Sequence, residues 1–279
     1  MKKKKIFFLM LMLIGLISIS YPFLSHIYKD YLNSRDILSF DEFKSEYDEK
    51  DIKNILNEAR DYKNRLSKNG ASIVDPFDLE KYESNYSKHY NLKSEEFGYL
   101  AIPKLDLYNK IYIGANQKNL FMGLGQVEGT DMPIGGMGTR CVIAGHRGTH
   151  RDLFFRYLDK LEVGDKIYVL SPVEKLVYRV ESMEVILPTE NEKLLPYEDK
   201  DMLSLITCTP YPINNKRLLV NAIRDEEKIS VDEITKEMND SNLKDDKIKM
   251  IKLTNKIVLG ICIILIIKII LLLKREIKK

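Results

Sequence analysis

Net charge and cysteine are both scarce in this chain. Its 279 residues carry a formal net charge of only +3, from 44 basic and 41 acidic side chains, and they include three cysteines. Near-balanced charge argues against a nucleic-acid-binding protein, because neutralising phosphates requires a basic face. The low cysteine count excludes a disulfide-stapled mini-protein, and a hydrophobic fraction of 44% excludes a disordered or collagen-like chain.

Long hydrophobic runs are absent from the middle of the chain and occur only at residues 6–21 and 257–273. About 230 residues lie between them, enough for one domain with a sizeable core and a helical extension. The first run follows four lysines, the pattern of a secretory signal whose positive flank stays in the cytoplasm. Residues 1–24 are expected to be either a cleaved signal or a retained membrane anchor. The chain after them is expected outside the cell.

The second run has 17 residues, the short limit for crossing a bilayer, and it contains Lys268. Lys268 lies six residues before Lys274 and can extend its amine toward that interface. We expect residues 257–279 to form a transmembrane helix with a basic inner flank. Lysines also precede the run, so charge alone does not orient it, and a buried core helix is the alternative.

The segment that follows the first run, residues 25–70, reads as helical. Ser39 and Glu42 form a capping-box signature. Apolar residues then recur at helical spacing as far as Gly70, which is a plausible stop. Residues 71–94 have few aliphatic side chains and no sustained period, and they predict a loop. Residues 226–256 are densely charged and predict a solvated helix or stalk.

Residues 95–225 consist of short β-rich runs separated by Gly, Pro and Asn. Strands at this spacing are typical of a closed barrel or a sandwich, so we expect a mainly β domain with one short helix near residues 151–161. The predicted strands are 98–102, 109–113, 140–144, 166–170, 175–186, 204–207 and 217–224.

Three side chains suited to chemistry occur at predicted strand ends, where functional residues concentrate. His146 follows one strand, Cys208 closes a second, and Arg217 starts a third. A thiolate is a nucleophile, and an imidazole can generate it or protonate a leaving amine. A permanently charged guanidinium can stabilise the oxyanion of an attacked amide. The three side chains could therefore converge at one rim of a barrel.

Plainer interpretations of these residues stay open. A cysteine at the end of an apolar strand is most often a small core residue, and Arg217 can simply cover apolar surface. His146 between glycines suits a turn. His146 and His150 have the spacing of half a zinc site, although Gly148 disfavours the helix that such a site needs.

The number of cysteines is odd for an exported protein. Cys262 falls within the C-terminal apolar run. Cys141 and Cys208 either pair with each other or leave a free thiol that is kept for its chemistry.

Two blocks of this sequence resemble the sortases, and most closely their class C, pilus-assembling branch. They are Pro133-Ile134-Gly135-Gly136 through Cys141-Val142-Ile143-Ala144-Gly145-His146-Arg147-Gly148, and Leu205-Ile206-Thr207-Cys208-Thr209-Pro210-Tyr211 followed by Arg217-Leu218-Leu219-Val220. The match covers roughly residues 97–224. The resemblance implies a closed sortase-type β-barrel of about eight strands at residues 95–225. It also implies Cys208 as nucleophile, His146 as general acid and base, and Arg217 as the group that holds substrate and oxyanion.

The resemblance further implies a cysteine transpeptidase without metal or organic cofactor. Cys208 is expected to cleave the Thr–Gly bond of an LPXTG-like sorting signal on a pilin or surface protein. The resulting thioacyl enzyme is expected to be resolved by a lysine amine of another pilin or by a cell-wall amine. The domain is expected on the outer face of the cell membrane, with no nucleic-acid partner.

Asp75-Pro76-Phe77 is similar to the lid motif of pilin sortases. By this resemblance, residues 71–94 form a lid in which Asp75 approaches Arg217 and Phe77 covers Cys208. Cys141 is then expected to be buried and unpaired. Two alternatives stay open: a housekeeping or class B or D sortase that anchors proteins to the cell wall, and a non-catalytic, membrane-tethered β-domain that acts as a scaffold.

Overall fold

A computed structural model of the protein describes residues 2–38, 40–70, 72–78, 92–148 and 153–278. The chain forms two compact units. The first contains the long terminal helices, up to Leu32 and from Asp246 onward, and the second contains the chain between them.

The described residues form six α-helices and eight β-strands. The helices are α1 (Lys2–Leu38), α2 (Phe40–Ser45), α3 (Glu49–Asn69), α4 (Gln117–Met122), α5 (Val231–Asn239) and α6 (Asp246–Lys278). The strands are β1 (Glu96–Ile102), β2 (Leu107–Ile113), β3 (Leu124–Gln126), β4 (Thr139–Ala144), β5 (Lys166–Leu170), β6 (Lys175–Ile186), β7 (Asp201–Thr209) and β8 (Lys216–Asp225).

The first unit pairs α1 with α6, and both helices are long and apolar enough to cross a membrane. Lys5 Nζ lies 2.9 Å from Glu276 Oε1, and Lys252 Nζ lies 3.1 Å from Asp30 Oδ2. Each ion pair joins the start of one helix to the end of the other, so the two helices run antiparallel. α1 also continues well past residue 24, the predicted end of the anchor.

In the second unit, α3 begins at a capping box and lies against the barrel. The side chain of Asp48 accepts a hydrogen bond from Asp51 N at 2.8 Å, and Asp51 Oδ2 accepts one from Asp48 N at 3.3 Å. Gly70, with φ 75°, caps the other end, where a left-handed conformation favours glycine. Ile55 and Tyr62 are buried in a cluster with strand residues. The predicted capping box at Ser39 lies outside the described residues.

The eight strands form a closed barrel in the order β1-β2-β3-β4-β7-β8-β6-β5, and β5 pairs back to β1. The prediction of a closed barrel of about eight strands is therefore confirmed, and the sandwich alternative is wrong. Seven strands match the predicted ones, with ends that differ by no more than a few residues. β3 was not predicted, because three residues are too few to show an alternating pattern.

Two pairings align the strand ends that matter for function. β4 and β7 run parallel, with Thr139 opposite Asp201 and Ala144 opposite Ile206. β4 is buried at every position, as expected of a parallel strand covered on both faces. β7 and β8 run antiparallel. The carboxyl ends of β4 and β7 and the start of β8 therefore lie at one rim of the barrel.

The charged segment after the barrel differs from the predicted solvated stalk in its first part. α5 starts at a capping box between Ser230 and Glu233. Its apolar residues Ile234 and Met238 are buried in one cluster with Phe40 of α2 and strand residues such as Tyr168. A few apolar residues spaced along one helix face thus suffice for this densely charged segment to pack on the barrel.

Two further local structures differ from the prediction. In place of the short helix predicted near residues 151–161, the described part forms turns and one 3₁₀ turn at Leu158–Lys160. Residues 151 and 152 lie outside the described residues. α4 was not predicted, since only Asn116, whose side chain accepts from Asn119 N, marks its start.

Candidate active site

Cys208 and His146 stand at equivalent positions on neighbouring parallel strands. Ala144 and Ile206 are the last matched pair of β4 and β7, and Gly145 N extends the pairing by donating to Ile206 O at 3.2 Å. His146 and Cys208 each follow that pair by two residues. The residue between Ala144 and His146 is Gly145, and a Cβ at that position would lie only 2.7 Å from the side chains of Leu124 and Phe155. A larger residue would therefore crowd these side chains.

Arg217 reaches the same rim from β8, where it is the register partner of Cys208. Its side chain is 7% exposed, yet its guanidinium makes four hydrogen bonds. Nη1 donates to the carbonyl oxygens of Asn214 at 3.0 Å and Lys216 at 2.8 Å. The structure therefore brings together Cys208, His146 and Arg217, the three residues that the sequence singled out.

The carboxylate of Asp75 accepts hydrogen bonds from the other two guanidinium nitrogens of Arg217. Arg217 Nε donates to Asp75 Oδ1 at 2.8 Å, and Nη2 donates to Asp75 Oδ2 at 2.6 Å. Two parallel bonds to a carboxylate are the strongest pairing that a guanidinium makes. Both side chains are buried, so water competes little with this pair.

The ring of Phe77 lies beside Arg217 and His146. Its ring centroid is 5.1 Å from Arg217 Cζ and 6.0 Å from the centroid of the His146 ring. It also packs against a buried cluster that includes Ile186 and Leu194. Asn191 Nδ2 donates to Ile73 O at 2.8 Å and so fastens the segment 72–78, called the lid segment below, to the loop between β6 and β7. The rest of the predicted lid, residues 79–91, lies outside the described residues.

Proteins of known structure share this fold and sequence pattern. The chain is 40% identical to the crystal structure of sortase C-3 from Streptococcus pneumoniae, with a TM-score of 0.62, over 68% of this chain and 90% of that one. The chain belongs to the sortase family. A family model for the sortase domain matches residues 100–225. Sortases are cysteine transpeptidases.

Other relatives of this sortase come from more than one branch. It is 31% identical to a pilus-related sortase C of Group B Streptococcus, with a TM-score of 0.61, over 67% of this chain and 96% of that one. It is 28% identical to sortase A of Bacillus anthracis over 128 residues, 46% of this chain. That alignment spans 59% of the Bacillus anthracis protein.

Burial and nearby charges set the protonation of the sortase site. Burial raises the pKa of the Cys208 thiol and Asp75 raises it further, while Arg217 and Arg147 act in the opposite direction. Burial also lowers the pKa of His146. A raised thiol pKa and a lowered imidazole pKa both favour the neutral pair near neutrality.

Arg147 is part of this site, although no role was predicted for it from the sequence. Its Nη1 donates to Thr209 Oγ1 at 3.1 Å and to Cys208 O at 3.4 Å. Its Nη2 lies 3.1 Å from Asp159 Oδ1. Its position in the sequence, directly after His146, could have indicated it, because that loop meets the strand that carries Cys208.

The remaining histidine and cysteine predictions concern residues at or near this site. Cys141 is buried and free, which confirms the prediction that it does not pair with Cys208. Burial raises its pKa well above the ordinary value. His150, the second member of the zinc alternative, lies outside the described residues. Among the described residues, no group of three or more metal-binding side chains is arranged around a common centre.

Proposed function

We propose that this protein is a class C sortase that joins pilin subunits. The observation that carries the proposal is the rim where Cys208, His146 and Arg217 meet while Asp75 and Phe77 of the lid segment occupy it. Structural relatives that include a pilus-related sortase C support the class, as does a second apolar helix at the C-terminus. The substrate is a pilin or surface protein bearing an LPXTG-like sorting signal.

The reaction starts from the neutral thiol and imidazole. His146 takes the proton of Cys208, and the thiolate attacks the threonine carbonyl carbon of the Thr–Gly bond. The carbonyl oxygen becomes an oxyanion that Arg217 stabilises. His146 then gives its proton to the leaving glycine amine, the C–N bond breaks, and a thioacyl enzyme remains. A lysine amine of another pilin attacks this thioester, loses a proton to His146, and releases the Cys208 sulfur.

The lid segment determines when Arg217 can act. With Asp75 in place, every nitrogen of the guanidinium already has a partner among Asp75, Asn214 and Lys216. A substrate oxygen can accept from Nε and take the place of the carboxylate at Nη2 once Asp75 has left. A buried charge without a partner is costly, so water or substrate must replace Asp75 as it leaves. The closed geometry is thus a resting state, and substrate entry competes with the lid segment.

The two terminal helices support a location of this reaction at the cell membrane. We assign α1 and α6 as membrane spans that hold the barrel on the outer face. Lysines at residues 2–5 precede the apolar part of α1, and basic residues at 274–279 follow the apolar part of α6 in the sequence. Both groups fit a cytoplasmic location for both termini.

The most direct test is intact-mass detection of an adduct between the full-length protein and LPXTG-type peptides. An added mass equal to the peptide fragment that ends at threonine is expected. Cys208→Ala should abolish it, and Cys141→Ala, which removes the buried thiol, should retain it. If Cys208→Ala still forms the adduct, or if no sorting peptide reacts with the unmodified protein, the proposed chemistry is wrong.

The acceptor amine separates the proposal from a second candidate. Similarity to sortase A of Bacillus anthracis favours the attachment of single proteins to a cell-wall amine as that candidate. Presenting the thioacyl enzyme with a pilin domain and with a cell-wall peptide in the same mixture measures the preference. Products joined through a pilin lysine support class C, and exclusive transfer to the cell-wall amine would replace it with the second candidate.

A further inference from the structure

Arg147 spans three segments around the thiol. It belongs to the loop after β4, its Nη1 bonds to Cys208 O and Thr209 Oγ1 at the end of β7, and its Nη2 pairs with Asp159 in the 3₁₀ turn. The side chain is 12% exposed. A guanidinium can make such separate contacts because its donors form a rigid, planar fork, and the point charge of a lysine cannot reproduce them.

Burial of this charge has an energetic meaning. Each hydrogen bond from a charged donor contributes more than a neutral one, and removing a buried partner leaves the others unsatisfied. Arg147 therefore restrains the main chain at Cys208 and ties the strand that carries the thiol to the loop that carries His146.

Arg147 also differs from Arg217 in its relation to the lid segment. Asp75 Oδ2 lies 2.6 Å from Arg217 Nη2 and offsets the positive charge of the guanidinium. Asp75 also raises the pKa of the Cys208 thiol. The partner of Arg147 is Asp159, which lies on the opposite side of its fork from Cys208. Within the described part of the chain, the charged and titratable groups beside Cys208 are His146 and Arg147 from the loop after β4, Arg217 from β8 and Asp75 from the lid segment.

We propose that Arg147 is a positioning residue that fixes the end of β7 and keeps a positive charge beside Cys208 whether or not Asp75 occupies Arg217. This role rests on the proposed function of Cys208 as the nucleophile. It adds a second arginine to the site, one that acts through the backbone and the electrostatic field and leaves substrate binding to Arg217.

The test measures Cys208 alkylation by iodoacetamide against pH, together with kcat and KM for peptide cleavage, in the full-length protein in detergent. Arg147→Met should move the alkylation midpoint to higher pH and lower kcat by roughly tenfold with a smaller change in KM. Arg147→Lys should restore the midpoint while kcat stays low, because lysine keeps the charge and loses the fork. Arg60→Met, on the exposed face of α3, is the matched control and should match the unmodified protein.

An unchanged alkylation midpoint in a folded Arg147→Met variant would overturn the proposal, even if kcat falls. Asp159→Asn keeps the inference testable if Arg147→Met does not fold. Removing the counter-charge should lower the midpoint, and a higher or unchanged midpoint contradicts the role. Alkylation does not require turnover, so loss of peptide adducts with an intact alkylation profile would count against the proposed function and not against this role.

Discussion

Arg217 and Asp75 show how single residues hold this site at rest. The carboxylate occupies two donors of the guanidinium, and its charge raises the pKa of the Cys208 thiol, which Arg217 lowers. In the mechanism proposed above, one side chain therefore blocks the oxyanion partner and suppresses the nucleophile together. Burial raises the thiol pKa most, and the ring of Phe77 lies against the two neighbouring groups, His146 and Arg217.

Replacing Asp75 by Asn tests this coupling. The thiol pKa is raised by the Asp75 charge, so its removal lowers that pKa and increases the thiolate fraction at any pH below the midpoint. We expect Cys208 to be alkylated several-fold faster at pH 7, with the midpoint shifted to lower pH. Asp61→Asn, on the exposed face of α3, is the control. Equal rates in the two variants would show that the lid segment does not restrain the thiol.

At the scale of elements, pairing registers place the site and a few apolar contacts place the helices. The parallel β4–β7 pair and the antiparallel β7–β8 pair are enough to bring His146, Cys208 and Arg217 to one rim. α5 docks differently, through two buried residues, Ile234 and Met238, in the cluster that also receives Phe40 of α2. The segments that lead from α1 and to α6 thus pack on the same part of the barrel.

Truncating Ile234 to Ala tests the docking of α5. The side chain is fully buried, and such a cavity should lower the free energy of unfolding by about 2 to 4 kcal/mol. Denaturant unfolding of the full-length protein, followed by tyrosine fluorescence, measures the change. Lys236→Ala, on the exposed face of the same helix, should change it by less than about 0.5 kcal/mol. Equal stability of both variants would instead support the solvated stalk that was predicted from the sequence.

At the scale of the whole molecule, two helices at opposite ends of the sequence form one antiparallel pair. The ion pairs Lys5–Glu276 and Asp30–Lys252 set its register. Ser20 lies ten residues before Asp30, and Cys262 lies ten residues after Lys252, so the two small residues lie at the same level of the pair. Both are buried between helices that are otherwise largely exposed. Small side chains at such a point let two membrane helices approach closely.

This register gives a prediction that needs one new cysteine. In a chain carrying Cys208→Ala, Ser20→Cys should form a disulfide with the native Cys262 under mild oxidation in membranes, detected by mass spectrometry of the linked peptides. Ser18→Cys, exposed and two residues away, should not. Absence of the Ser20→Cys link would mean that α1 is removed or does not pair with α6.

The sequence and the structure agree most where local pattern decides. Alternating apolar residues and Gly, Pro and Asn breaks located seven strands, and strand ends pointed to Cys208, His146 and Arg217. Arg147 was missed because its role depends on Thr209 and Asp159, which only the folded chain brings near it. α5 was misread because its segment is densely charged, and only its few apolar residues show which face it buries.

The position of Cys208 at the end of β7 has a mechanical consequence. A surface protein held on Cys208 while its far end is anchored elsewhere would pull along β7. β7 is paired with β4 from Asp201 to Ile206 and with β8 from Met202 to Thr209, and α5 follows β8 along the chain. The antiparallel β7–β8 hydrogen bonds run perpendicular to both strands, so such tension loads them in shear. On the proposed function, force arriving at a thioester on Cys208 would therefore be shared along the β7–β8 pairing and would not fall on the end of β7 alone.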